Sequence, residues 1–246
     1  MTWTDKTIPQ LDPVPLRYSG VWTRTLLETP TVRDDTSFVR WMQLRRWHAD
    51  LRVPAPVFAS RPVKPVSECT LQELQLLTEQ QGFCGVTEVS TATEGEVCTW
   101  HRLVDYQPPR PTPDAGWMVF ESADCVIETG VHGVYREVWH RLPGSTGRLI
   151  ALEERAPAAG MPGARLLIAG KYLMRVQPHQ ATGPDFEISF GEIIADQWHI
   201  ERSTFPAFEG QVLPCLLPAA VDADGQRLRG LLGADWSVLE WSDGAG

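Results

Sequence analysis

Long apolar runs are missing from this sequence. The longest lie near 166–169 and 215–221 and are far too short to cross a bilayer. Residues 1–7 show no basic region followed by an apolar run, so no secretion signal is expected. Positive charge is also short. The formal net charge is −9, which argues against nonspecific binding to nucleic acid or anionic membrane, since both need a basic surface. The basic clusters are brief: Arg45 with Arg46, and Arg227 with Arg229. Asparagine is absent and lysine is scarce beside arginine, a bias of genome base composition rather than of chemistry. Cys69, Cys84, Cys98, Cys125 and Cys215 are odd in number, widely spaced and form no Cys-x-x-Cys pair. That pattern fits reduced thiols in a cytoplasmic setting, not a disulfide framework or zinc site. His48, His101, His132, His140, His179 and His199 include no His-x-x-x-His pair, so no metal or haem site is expected. Phosphate-cradling loops, a dinucleotide fingerprint and a nucleophile elbow are all missing, and no cofactor is expected. The stretch from Asp222 to Gly225 starts like a calcium loop but lacks the acid at loop position twelve, so it reads as a hairpin turn.

Short alternating segments rich in β-branched and aromatic residues are plentiful. In the first part they cover 21–28, 36–44, 47–53, 83–90, 96–104, 117–121, 124–129 and 134–141. In the second they cover 148–155, 164–177, 185–190, 192–201, 226–232 and 236–241. Gly/Pro/Asp clusters separate them at 107–116, 142–147, 156–163, 178–184 and 222–225. Many short strands with turns between them indicate an all-β sandwich or barrel. With 246 residues, 43% of them hydrophobic, the chain can build a real core as one large domain or two small ones. One helix is predicted over 71–81, with Thr70 and Glu73 at capping-box spacing, a stripe of Leu71, Leu74 and Leu77, and Gly82 as terminator. Its modest stripe suggests a helix lying across a barrel mouth or against a wall. Residues 54–67, rich in proline, read as an extended loop.

Residues 41–53 read as two strands joined at Arg45 and Arg46. Trp41 then faces Asp50, Gln43 faces His48, and Met42 faces Ala49. Alternation puts Trp41, Gln43, His48, Asp50 and Arg52 on one sheet face. Phe38, Met42, Leu44, Trp47, Ala49, Leu51 and Val53 share the other. Such a sheet either rests on a core with its polar side in water or lines a polar pocket. Asp50 could orient the imidazole of His48, and Arg52 could hold an anionic group. The plain alternative is a solvent-facing strand pair with a surface ion pair.

On a later strand Tyr135, Glu137, Trp139 and Arg141 share a face. A carboxylate between aromatic rings in a barrel lumen has a raised pKa, useful for acid–base work. Equally, Glu137 could be a structural carboxylate paired with Arg52 or Arg102. Cys98, Trp100 and Arg102 share a face with His101 opposite. That excludes a Cys–His nucleophile pair within this strand and makes Cys98 a core thiol. Trp22, Trp41, Trp47, Trp100, Trp117 and Trp139, out of ten tryptophans, fall in the first part. Core packing explains most of them, and the surplus fits a cavity that stacks on a flat ligand.

The Gly20-Val21-Trp22 opening resembles the Gly-x-Trp that closes the floor of lipocalin-like barrels, usually with a late-strand arginine on the indole. Arg136 and Arg141 are the two candidates for that arginine. Residues 125–130, 135–139, 168–171, 188–191, 203–204 and 236–241 resemble, in the same order, pieces of a two-barrel family. It comprises lipocalin-like (calycin-like) uncharacterised bacterial proteins related to fungal proteins that bind a casein-kinase-1-type kinase. The resemblance implies two antiparallel β-barrel units, over 14–142 with the helix inserted and over 147–246 as a barrel or half-barrel; a single larger barrel stays open. It implies no activity and no catalytic residue, but it admits a protein partner.

Three functions are expected from these features. The first is binding of a small apolar or aromatic ligand in the first barrel. Trp41, Trp100, Tyr135, Glu137 and Trp139 would line it, with Gln43, Asp50 or Arg52 at a polar end. The second is a cofactor-free cyclase, isomerase or decarboxylase using Glu137 or the His48/Asp50 pair. The third is a scaffold with filled barrels and an exposed apolar patch, most plausibly on the second unit.

Overall fold

The computed structural model describes residues 11–108, 111–155, 163–178, 186–217 and 227–243. Two antiparallel sheets account for most of the chain. The first contains β1 (Gly20–Glu28), β2 (Arg33–Asp34), β3 (Phe38–Gln43), β4 (Trp47–Val53), β5 (Gln81–Ala92), β6 (Gly95–Asp105), β7 (Asp114–Ser122), β8 (Cys125–Gly130) and β9 (Arg136–Arg141). Each strand pairs with its neighbour, and β1 pairs with both β3 and β9, which closes an eight-stranded barrel with β2 as a short flap on β1. Closure leaves no free edge in the barrel wall.

The second sheet contains β10 (Leu149–Glu154), β11 (Arg165–Ala169), β12 (Tyr172–Pro178), β13 (Phe186–Ile194), β14 (Gln197–Ser203), β15 (Val212–Pro214), β16 (Arg227–Leu231) and β17 (Ala234–Ser242). Its order is β15-β14-β13-β12-β11-β10-β17-β16, a curled half-barrel that stays open. Strands β10 and β11 are buried on both faces. Leu149, Ala151, Leu167 and Ala169 point to the first barrel, while Ile150, Leu152, Leu166 and Ile168 point to the half-barrel's own core. Side-chain alternation thus serves two cores with one pair of strands.

The hairpin of β3 and β4 has the register expected from its sequence, with Trp41 opposite Asp50, Met42 opposite Ala49 and Gln43 opposite His48. Neither of its faces is wet. Met42, Leu44, Trp47, Ala49, Leu51 and Val53 pack against Met174, Val176, Ile188 and Phe190 of the second sheet. The polar face therefore turns into the first barrel.

Four sequence readings change. The helix α2 spans Leu71–Leu77 with its Thr70/Glu73 capping box formed, but Gly82 does not end it. Gly82 lies in β5, where a Cβ would meet Ile188 Cδ1 at 2.6 Å and the Asp50 carbonyl at 2.7 Å, so glycine permits the units to approach. Leu71 is exposed, and α2 rests through Leu74 and Leu77 on Phe205 and Phe208 of the second unit. The 54–67 segment is not fully extended: α1 covers Ala55–Ser60, with Pro56 in its first turn where no N–H is needed. The run 164–177 is a hairpin, β11 and β12, turning at Gly170 (φ +58°). The break between the segments read at 185–190 and 192–201 falls at Ala195 and Asp196, both at positive φ, rather than at residue 191. Gly191 is a close approach, since a Cβ there would meet the His199 carbonyl at 1.9 Å. The loop read at Asp222–Gly225 and His179 lie outside the described residues. No described helix is long and apolar enough to cross a membrane.

Candidate functional site

One end of the first barrel is closed by stacked rings. Trp22 follows Gly20 into the lumen and donates its indole N–H to the Tyr18 carbonyl at 2.7 Å. The Arg141 guanidinium sits 4.5 Å from the Trp22 ring centroid, a cation–π contact. It also donates to the carbonyls of Arg17, Ser19 and Ala123, and pairs with Asp124 at 3.1 Å. Arg136 instead turns outward to Glu28. Trp41 stacks on Trp22 and meets Trp100 and Trp139 edge to face, with centroids 5.4 and 5.8 Å away. Cys98 and Val126 fill the gaps around these indoles, as a core thiol should.

The side of this floor nearest β4 and β5 is polar but closed. The Thr87 hydroxyl donates to Gln43 Oε1 at 2.7 Å, and its oxygen accepts from His48 Nδ1 at 2.9 Å. Gln43 also accepts from the Trp41 indole N–H and donates to the Leu44 carbonyl. His48 is fully buried; burial, with Arg102 and His101 adding like charge, pushes its pKa well below the usual range. It is neutral. It does not touch Asp50, so the expected His48/Asp50 pair is not formed. Neither Gln43 nor His48 reaches open space, because Trp41 and Phe83 cover them.

Above the indoles a cavity of about 190 Å³ opens towards the other barrel end. Trp41, Asp50, Arg52, Trp100, Tyr135, Glu137 and Trp139 line it, as do Leu27, Thr29, Phe83, Asp114 and Glu128. Strand parity brings seven of the eight expected lining residues together, and Gln43 is the exception. Arg52 grips Asp50 with two N–H donors, at 2.7 and 3.2 Å. Burial opposes the charge on both, raising the Asp50 pKa despite Arg52, while Asp50 and Glu137 outweigh burial and raise that of Arg52. Glu137 is held by Arg24 at 2.8 Å, not by Arg52 or Arg102. Arg24 also holds Asp34 of β2 at 2.7 Å. Arg102 lies 3.6 Å from the Phe83 ring centroid and pairs with Asp105 and Asp114.

Glu128 was missed by sequence reasoning. It sits directly opposite Glu137 across β8 and β9. Its carboxylate accepts from the Tyr135 hydroxyl at 2.7 Å and from the Trp139 indole N–H at 3.1 Å. Burial first, then the Glu137 charge, pushes its pKa well above the usual carboxylate range. Burial also raises the pKa of Tyr135, which stays a donor. The signal was present: Val126 and Glu128 share parity, and Glu128 pairs with the strand carrying Glu137. Among the described residues, no group of three or more His, Cys, Asp or Glu side chains could hold a metal ion.

No protein-family model matches the sequence, and no match is found among curated proteins. The crystal structure of an uncharacterized protein from Saccharomyces cerevisiae is similar, with a TM-score of 0.58 at 12% identity. The match covers 90% of this chain and 98% of that one. At this identity it shows a shared fold and carries no residue roles.

Proposed function

We propose that the first barrel binds a small, mainly apolar or aromatic ligand in its lumen. The observation that carries this reading is the unfilled space of about 190 Å³ above three buried indoles. Such a shape, apolar at its base with a few converging polar groups, is the usual form of a small-molecule site. The Arg141–Trp22 floor supports a lipocalin-like reading of this barrel. The five free cysteines fit a cytoplasmic protein. Native mass spectrometry of freshly purified protein tests the reading, with a non-covalent adduct that leaves on denaturation as the expected result. Absence of any adduct, together with no quenching of tryptophan fluorescence by small aromatic compounds, would reject it.

A second reading, a cofactor-free acid–base enzyme, has its own support. Glu128 and Glu137 face each other in unlike surroundings, one among neutral donors and the other on Arg24. Two facing carboxyls held by unlike partners can divide acid and base roles. His48 has no part in it. A scaffold would need a filled first barrel, so the cavity there favours the ligand reading over it.

A further inference from the structure

The arginines around the cavity are all committed. Arg24 serves Asp34 and Glu137, Arg52 serves Asp50, and Arg102 serves Asp105 and Asp114. Glu128 is a further carboxyl, and among the described residues it has no cation within ion-pair distance. Its partners, the Tyr135 hydroxyl and the Trp139 indole, are neutral donors, one to each oxygen. A carboxylate oxygen has two lone pairs, so each keeps one for a further donor. The site also puts the Trp41, Trp100 and Trp139 rings in the same cavity wall as that carboxyl. Ring faces carry negative electrostatic potential and attract cations, more strongly where water is excluded. An anionic ligand would meet surplus carboxyls, and among the described residues the one arginine lining the cavity, Arg52, is already gripped by Asp50.

We propose that the lumen takes a small organic cation, an arylalkyl ammonium, with its nitrogen on Glu128 and its ring against Trp41, Trp100 and Trp139. The proposal rests on the reading of the cavity as a ligand site and names the ligand's chemistry. Size agrees with it. A cavity of about 150 Å³ holds a benzene ring, so about 190 Å³ takes one ring and a short arm. The ammonium supplies the positive partner Glu128 lacks, favours the ionised carboxyl that burial opposes, and fills its free lone pairs with N–H groups.

The test is a charge series on the intact protein at pH 7. Phenethylamine, phenethyl alcohol and phenylacetate share a ring and differ in charge, and each is titrated by calorimetry or tryptophan fluorescence. The amine is expected to bind about tenfold or more tighter than the alcohol, and phenylacetate weakest. Equal binding of amine and alcohol, or preference for phenylacetate, overturns the cation assignment and leaves the ligand cavity standing. Binding by none of the three removes both. Glu128→Gln keeps the shape and can still hydrogen-bond Tyr135 and Trp139. It is expected to bring the amine down to the alcohol's affinity while the alcohol changes by no more than about threefold. An amine preference that survives Glu128→Gln also overturns the proposal. If that variant does not fold, the wild-type series decides alone.

Discussion

The two sheets use similar strands for different ends. The first closes on itself and fills its lumen with indoles, carboxyls and guanidiniums, leaving space near one mouth. The second stays open and fills its concave side with Ile150, Leu152, Leu166, Ile168, Leu173 and Trp236. An apolar filling needs no partners beyond shape. A polar lumen must pair nearly every group, and some of these pairs tie strands together: Arg24 joins β1, β2 and β9, and Arg102 joins β6 to Asp114 of β7. The half-barrel lends the first barrel something it lacks. With charged groups inside, the barrel's apolar surface lies outside, and the second sheet covers it. The comparison teaches that the second unit works as the outer core of the first.

That difference can be broken at the shared face. Phe190 is fully buried there, stacked on Tyr172 and packed beside Phe38. Phe190→Ala is expected to cost about 3–5 kcal/mol and to lower the stability of both units together in denaturant unfolding. A first barrel that keeps its wild-type unfolding midpoint would show that it does not rely on the half-barrel.

A smaller effect is expected at the latch between the units. Glu240 of β17 accepts from the backbone N–H groups of Arg45, Arg46 and Trp47, at 2.5, 2.9 and 3.4 Å. Burial raises its pKa, and these N–H groups act in the opposite direction. Glu240→Ala leaves those donors partly buried without a partner and is expected to cost about 1–3 kcal/mol. The β3–β4 turn should then exchange its amide hydrogens faster, while β13 and β14 keep their protection. Unchanged exchange at Arg46 and Trp47 would remove Glu240 from this role.

The smallest effect sharpens the contrast between polar and apolar interiors through pH. His48 has a folded pKa well below 6.5, so below pH 6.5 the unfolded chain binds a proton that the folded chain refuses. Acid therefore favours unfolding. This contribution is fully present above about pH 6.5 and falls by at most about 1.4 kcal/mol per pH unit as pH drops below it. His48→Gln, which retains an N–H for Thr87, should flatten that slope between pH 6.5 and 5. An identical slope in the variant would mean that His48 is charged in the folded protein.

Much of the architecture was legible in the residues. All eight barrel strands appear where alternating segments predict them, and the β3–β4 register follows from placing the turn at Arg45 and Arg46. Alternation puts Glu137 and Trp139 of β9 on the cavity side, together with Tyr135 just before the strand. The misread positions have separate causes. Gly82 and Gly191 look like chain breaks, yet they are places where another segment comes too close for a Cβ. Ala195 and Asp196 form a turn that lacks glycine, so its composition gave no warning. The partner of Glu137 was also hidden, because Arg24 lies 113 residues away in the chain.

What the sequence determined by itself is which side chains travel together. That follows from the two-residue period of a strand, a local property of the backbone. What only the tertiary structure decided is which group faces in. Both faces of the hairpin could be buried, and both are. The choice falls to long-range packing: the second sheet covers Met42, Leu44 and Leu51, so Trp41 and Asp50 must turn to the lumen. The burial that directs them there is made by residues more than a hundred positions away, and no local pattern records it.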